Sequence, residues 1–240
     1  MASTSTTTSG IWNVISPSQF AWEQEALDYV RARLGSWALG AWANFEFMTL
    51  DGAIYEVDLL VLTRDRLYLV EIKSFPGHLK GDAATWYLQD GNRSRVLDNP
   101  LYLTNKKAKV LKGLLAAQAP YRKTGLRLPY VEPLVFLSNP SLKCDLETHA
   151  LQHITVREER AQPPRISIIR ALEGQGGPPA LDRGDVRRIH EALDEAGIRR
   201  LQKSRTVGDY RLGEILGEGP GYQDRLAEHL GVSRNPVREA

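Results

Sequence analysis

The chain has 240 residues, with 31 Lys and Arg against 29 Asp and Glu, for a formal net charge of +2. That length can bury one sizeable core plus a smaller appendage, and the near-neutral balance gives no global electrostatic argument for nucleic acid. The single cysteine, Cys144, excludes an internal disulfide and argues for a reducing cytoplasm; it reads as a small buried hydrophobe rather than a nucleophile.

No run approaches a membrane span, so a membrane partner is not expected. The Ser/Thr tract from Ser3 to Ser9 lacks an apolar core segment and is not a signal peptide; residues 1–15 are expected to form a disordered tail. A first helix is signalled by Ser16-Pro17-Ser18-Gln19, with an N-cap serine, a proline at the first turn and a glutamine behind it. Leu27, Val30 and Leu34 then recur at helical spacing. Glu23 stands four residues before Leu27 on that apolar stripe. It is either part of a site or a first-turn acid that suits the helix dipole; Glu25 faces away.

A strand over Trp42 to Thr49 and a turn at Asp51-Gly52 lead into two apolar runs, Leu59-Leu60-Val61-Leu62 and Leu67-Tyr68-Leu69-Val70. These read as a buried β-hairpin. Pairing about Arg64-Asp65 sets Asp58 opposite Glu71, and the two-residue period places Glu71 and Lys73 on one face. Glu56 shares the Asp58 face by the same period, either supporting the site or forming a solvated strand end. Carboxylates and a lysine at the end of buried strands are costly without a reason. A hard divalent cation, Mg²⁺ or Mn²⁺, supplies one, with the lysine orienting or deprotonating a water or stabilising developing charge. Solvated hairpin ends are the competing reading.

Beyond Lys73, Pro76-Gly77, Gly81 and Asp90-Gly91 bracket Trp86-Tyr87-Leu88, predicting a hairpin beside the site with Trp86 as a packing anchor. Asn99-Pro100 opens a second helix to about Gln118. Lys106, Lys107, Lys109 and Lys112 crowd its polar side, with Arg122, Lys123 and Arg127 beyond. This local basic patch, with Lys106, Lys109 and Lys112 as candidate DNA-binding residues, is suited to gripping phosphates; a plain solvated face is the alternative. Val131 to Ser138 reads as a core strand whose beginning, at Pro133, is irregular or at an edge. His153 to Val156 is a short strand, 165–170 an extended piece and 185–197 an amphipathic helix.

This order of elements resembles the nuclease-related (NERD) domain of the PD-(D/E)xK nuclease superfamily. The residues that carry the resemblance are Glu23, Asp58, Glu71 with Lys73, Gly81, Trp86 and Asn99-Pro100. It spans about residues 16 to 140. The resemblance implies a three-layer α/β core with a central mixed sheet flanked by helices. It also implies Mg²⁺-dependent hydrolysis or nicking of DNA: Asp58, Glu71 and the Ile72 carbonyl hold metal, Lys73 positions water and Glu23 supports the site. One departure is that Leu103 stands where the family often has a glutamine; Asn105 or Lys106 are candidate substitutes.

After Lys203 the composition shifts. Tyr210-Arg211-Leu212-Gly213-Glu214-Ile215-Leu216, followed by Gly217, Gly219 and Gly221, looks like the first strand and glycine-rich loop of a protein kinase. No lysine follows Lys203 and no catalytic-loop motif is present, so residues 201–240 read as a linker and the start of a kinase domain, whose first strand is expected to lack pairing partners. A nuclease-related domain joined to a kinase resembles the PglW-type proteins of phage-growth-limitation (BREX type 2) defence. The resulting expectation is a cytoplasmic, metal-dependent DNA nuclease or nickase in bacterial anti-phage defence, with other defence-system proteins as partners. The competing class is a non-catalytic DNA-binding or regulatory module that gates an attached kinase.

Overall fold

The computed structural model describes residues 11–49, 51–159, 165–174, 181–201, 206–207, 210–219, 222–229 and 234–239. In order, these form β1 (Trp12–Val14), α1 (Ala21–Arg31), β2 (Ala38–Met48), β3 (Ile54–Thr63), β4 (Leu67–Lys73), β5 (His78–Gly81), β6 (Thr85–Asp90) and β7 (Arg93–Asp98). There follow α2 (Leu101–Ala116), α3 (Ala119–Arg122), β8 (Val131–Leu137), β9 (Lys143–Leu146), β10 (Ile154–Val156), β11 (Ile166–Ser167), α4 (Ile168–Glu173), α5 (Arg183–Glu195) and β12 (Arg199–Arg200). The strands β13 (Thr206–Val207), β14 (Tyr210–Gly219), β15 (Tyr222–His229) and β16 (Arg234–Glu239) close the chain. It divides into two compact units, Met1–Arg200 and Leu201–Ala240.

The first unit is built on a mixed sheet in the order β1-β2-β3-β4-β8-β10-β11, with β12 also pairing with β2. β2, β3 and β4 run antiparallel, while β4, β8, β10 and β11 are mutually parallel neighbours. Strands covered on both faces should be apolar throughout rather than alternating, and the paired stretches Leu59 to Leu62 of β3 and Leu67 to Val70 of β4 are. Leu60, Leu62, Leu67 and Leu69 pack against Ala108, Leu111 and Leu115 of α2 and Ile189, Ala192 and Leu193 of α5. Leu59, Val61, Val70 and Ile72 pack instead with Ala26, Leu27 and Val30 of α1 and Ile168 and Leu172 of α4. The result is the three-layer α/β architecture expected.

A second sheet, β7-β6-β5-β9, lies beside it. Trp86 is fully buried there with Leu79, Leu88 and Leu146, as a packing anchor. Gly81 has φ +143, and a Cβ there would stand 2.2 Å from the Thr85 carbonyl oxygen, so only glycine allows β5 and β6 to close. Pro133 sits in interior strand β8, yet β10 pairs with that strand only from Val135 onward. One side of the strand is therefore open at the proline, as its missing N–H requires.

Four expectations need correcting. The tail is not disordered to residue 15: Trp12 is buried, and β1 pairs in parallel with Ala41 to Ala43; residues 1–10 lie outside the described part. Helix α1 starts at Ala21, because Ser18 turns its hydroxyl onto Phe20, accepting from the Phe20 N–H and donating to its carbonyl. Only Ile166–Ser167 is extended within 165–170; Ser167 accepts from the Arg170 N–H and so caps α4. The kinase-like strand is not left alone: β14 pairs antiparallel with β13 and β15, and β15 with β16.

The hairpin β2–β3 contains one irregularity that matters for the site. Trp42 lies in the layer with α2, and Ala43 in the layer with α1. Regular alternation would place Phe45 and Phe47 with Ala43, yet both pack with Trp42. On β3 the phase breaks likewise between Val57 and Leu59. The residues at the break are Asn44 and Asp58, flanked by the pairs Ala43↔Leu59 and Phe45↔Val57. Asn44 adopts φ +53, a left-handed conformation that asparagine tolerates better than most residues but that still costs about 1–3 kcal/mol within a strand.

Candidate active site

The β3–β4 ladder pairs Leu62↔Leu67 through Leu59↔Val70, and one further step in that register sets Asp58 opposite Glu71. Beyond Leu59 the strands cease to pair. The Ile72 N–H donates instead to Asp58 Oδ2 at 2.7 Å, so the aspartate side chain takes the place of a strand carbonyl where the sheet splits open.

Glu71 is the most heavily engaged acid in this opening. Its Oε1 lies 3.2 Å from Lys73 Nζ and its Oε2 2.7 Å from Lys107 Nζ. Burial works to raise the Glu71 carboxyl, but the two ammonium groups outweigh it and hold the group down at about 2. Lys107 is itself raised: desolvation pulls it down, and the charges of Glu71 and Asp58 more than compensate. Asp58 behaves in the opposite way. Burial first, then the charges of Glu71 and Glu23, push it well above the ordinary carboxylate range, and Lys107 and Lys73 offset only part of this.

Helix α1 brings Glu23 to the same place. Burial raises its carboxyl, the side chains of Ser18 and Asn44 pull it back, and the charges of Glu71 and Glu56 push it up again. Glu25 points elsewhere, pairing with Arg157. Arg157 also lies over the Tyr29 ring at 4.6 Å, and the Tyr29 hydroxyl donates to the Arg157 carbonyl at 2.8 Å, which ties α1 to the chain after β10. Asn44 is almost wholly buried beside Glu23, and its side-chain amide holds the Glu23 carboxyl down.

Glu23, Asp58, Glu71 and Lys73 are therefore brought within one electrostatic neighbourhood. Two further residues join them that spacing did not single out, Lys107 and Asn44. A signal for Lys107 was present: it stands three after Thr104 and four before Leu111, both fully buried, on the edge of the apolar stripe, just as Glu23 stands before Leu27. The other helix lysines diverge. Lys109 is exposed, Lys106 half-buried, and Lys112 places its Nζ 5.2 Å from the Tyr130 ring. Leu103, at the family's glutamine position, is half-buried.

For a divalent cation the donor chemistry fits: carboxylate oxygens of Asp58 and Glu71, and the Ile72 backbone carbonyl between Glu71 and Lys73. Among the described residues no three Asp, Glu, His or Cys side chains form a ready-made cage. Both Glu71 oxygens contact lysines, so a cation would share the carboxylate with them or displace one. Neither Cys144 nor a histidine takes part.

Three acids and two lysines at the split end of a mixed sheet, between two layers of helices, define a nuclease-like α/β domain. Residues 18–138 match the nuclease-related domain (NERD), and the chain belongs to that family. It is 30% identical over 225 residues to a Streptomyces coelicolor protein described as a probable kinase, PglW. That match covers 92% of this chain but 14% of the relative, so the chain spans a small part of the relative's length. No solved structure matches. Among the described residues no helix is long and apolar enough to cross a membrane.

Proposed function

We propose that residues 16–200 form a Mg²⁺- or Mn²⁺-dependent DNA nuclease or nickase that acts in bacterial anti-phage defence, in the cytoplasm and alongside other defence-system proteins. The observation that carries this reading is the convergence of Asp58, Glu71 and Glu23, from two strands and a helix, around Lys73 and Lys107. Asp58, Glu71 and the Ile72 carbonyl would hold the cation, which supplies Lewis-acid activation of a phosphodiester and of water. Lys73, on the same face as Glu71, would hold the attacking water as Glu71 turns toward the cation. Glu23, whose carboxyl burial raises above its ordinary value, would accept a proton from that water. Lys107 would neutralise charge building on the phosphate. Lys106, Lys109 and Lys112 would carry the flanking DNA backbone, and the defence setting rests on the likeness to PglW.

A second reading is favoured by one observation: each Glu71 oxygen already has a lysine within 3.2 Å. A site neutralised in this way suits a non-catalytic module that binds DNA or a defence partner and gates an attached kinase.

The two separate on supercoiled plasmid DNA with MgCl₂ or MnCl₂. The nuclease reading expects nicked or linear product from the wild type and none from Asp58→Ala. Binding of the plasmid without cleavage in either metal would leave the gating module.

A further inference from the structure

The first turn of α1 carries two aromatic rings that the core does not use. Phe20 and Trp22 stack on each other, with ring centroids 5.4 Å apart and planes 18° from parallel, yet they remain 47% and 40% exposed. Ring pairing accounts for their mutual contact, but not for the apolar area that both leave in water. Their place on the helix is informative. The inward stripe of α1 runs through Ala26, Leu27 and Val30. One turn earlier the same stripe reaches Trp22 and Glu23, four residues before Ala26 and Leu27. The helix thus overruns the apolar layer by one turn, and there it presents a ring and an acid side by side.

Ser18 ties the rings to the site. Its hydroxyl accepts from the Phe20 N–H at 3.1 Å and donates to the Phe20 carbonyl at 2.9 Å. The same side chain hydrogen-bonds Glu23 and pulls its carboxyl down. A protein surface that covered the rings would also come down on the charges around Glu23 and would have to desolvate them. A nucleotide suits both halves. Its phosphate goes to the cation and the lysines, and its flat base lies on an exposed ring face. In a duplex each base is paired and stacked between its neighbours, so the base that does this must be unpaired.

We infer that Phe20 and Trp22 form a stacking platform for an unpaired base next to the scissile phosphate, which makes single-stranded DNA the substrate class of this site. The inference rests on the nuclease-like reading of the site but concerns binding and not cleavage. It is tested on the full chain by fluorescence anisotropy, with CaCl₂ in place of MgCl₂. Three end-labelled probes are compared: an eight-residue oligothymidylate, an abasic oligomer of the same length and phosphate charge, and a blunt duplex.

The wild type should bind the oligothymidylate about tenfold more tightly than the abasic oligomer, the worth of one stacked base. Trp22→Leu keeps an apolar side chain but has no π-face. It should bind the oligothymidylate about tenfold more weakly than the wild type does, with its affinity for the abasic oligomer and the duplex unchanged within about twofold. Phe20→Leu should move in the same direction. Equal wild-type affinity for the oligothymidylate and the abasic oligomer would overturn the inference and leave the rings to a protein partner. So would a duplex bound as tightly as the oligothymidylate, or a loss shared equally by all three probes in both variants. Failure of the parent reading looks different: the base preference is present, but neither plasmid nor oligothymidylate is cut with MgCl₂ or MnCl₂.

Discussion

Lys107 Nζ lies 2.7 Å from Glu71 Oε2, closer than Lys73 of the same Glu-x-Lys run, which stands 3.2 Å from Oε1. The second cation comes from α2, within the crossover that links β4 to β8. It makes the site's charge balance a property of tertiary structure. In this arrangement Glu71 is satisfied and ionised, while the burden of crowded negative charge falls on Asp58 and Glu23.

That arrangement predicts the behaviour of Lys107→Met. The low Glu71 value, about 2, means that its charge contributes stability that is present above the ordinary carboxylate range and is lost as pH falls toward 2. Removing Lys107 raises Glu71 back toward its ordinary value. The variant should therefore melt below the wild type at pH 7, and the gap should narrow as pH falls below about 4.5. Freed of one lysine, Glu71 should also bind Mg²⁺ more tightly. Thermal melts between pH 2.5 and 7 and calorimetric titration with MgCl₂ measure the two effects; a gap that widens in acid would show that Lys107 acts through packing.

Asp58 predicts a trade between stability and function. A carboxyl held above its ordinary value contributes stability that is fully present below that value and is lost as pH rises through the raised one. Above that raised value the ionised aspartate therefore destabilises the fold. Asp58→Asn keeps an acceptor for the Ile72 N–H and removes the charge. The variant should melt higher than the wild type at pH 8 without metal, by about 2–4 °C for each kcal/mol recovered in a domain of this size, and should not cleave DNA. Equal melting at pH 8 would mean that the crowding of acids does not reach Asp58.

The hairpin that carries Asp58 and Glu71 was legible because two apolar runs about a short polar turn admit one centred register, and a slip would bury charge in the wrong layer. Glu23 was legible for a related reason, as an acid on an apolar helical stripe. Lys107 was obscured by its neighbours: in a run of lysines, only the buried Thr104 and Leu111 on either side tell which one points inward. Asn44 left a fainter trace, a polar residue in the middle of Ala41-Trp42-Ala43-Asn44-Phe45. Its left-handed backbone depends on a phase change in both strands, which a two-residue period cannot express. The strand β1 was missed because three residues are too few for a pattern; Trp12 becomes buried only once β2 exists to pair with it.

On α2, Lys106 and Lys109 stand three apart on one side, Lys106 half-buried and Lys109 exposed. If they grip the DNA backbone, replacing both with glutamine should weaken binding equally for all sequences. The slope of log affinity against log salt should flatten by about one unit for each phosphate that is no longer neutralised. Lys112→Gln should have a smaller effect, since its ammonium is already held near the Tyr130 ring. An unchanged slope in the double variant would make these lysines a solvated face.

The boundary at residue 200 yields the last prediction. Residues 199 and 200 form β12, pairing with Phe45 and Glu46 of β2. Arg199 Nε lies 2.7 Å from Glu46 Oε1, and Glu46 is 1% exposed. The ion pair therefore closes the edge of the nuclease-like sheet two residues past the Asn44 kink, although in sequence it sits at the join to the kinase-like segment. A chain ending at residue 200 should keep this ion pair and melt as the first unit does in the full chain. A chain ending at residue 197 removes the guanidinium from a buried carboxylate, a loss on the order of 1.5–3 kcal/mol for a hydrogen bond to a charged group. It should melt several degrees lower, and Arg199→Met in the full chain should reproduce most of that drop. Equal melting of the two truncations would show that β12 adds nothing to the sheet, and that the first domain ends with α5.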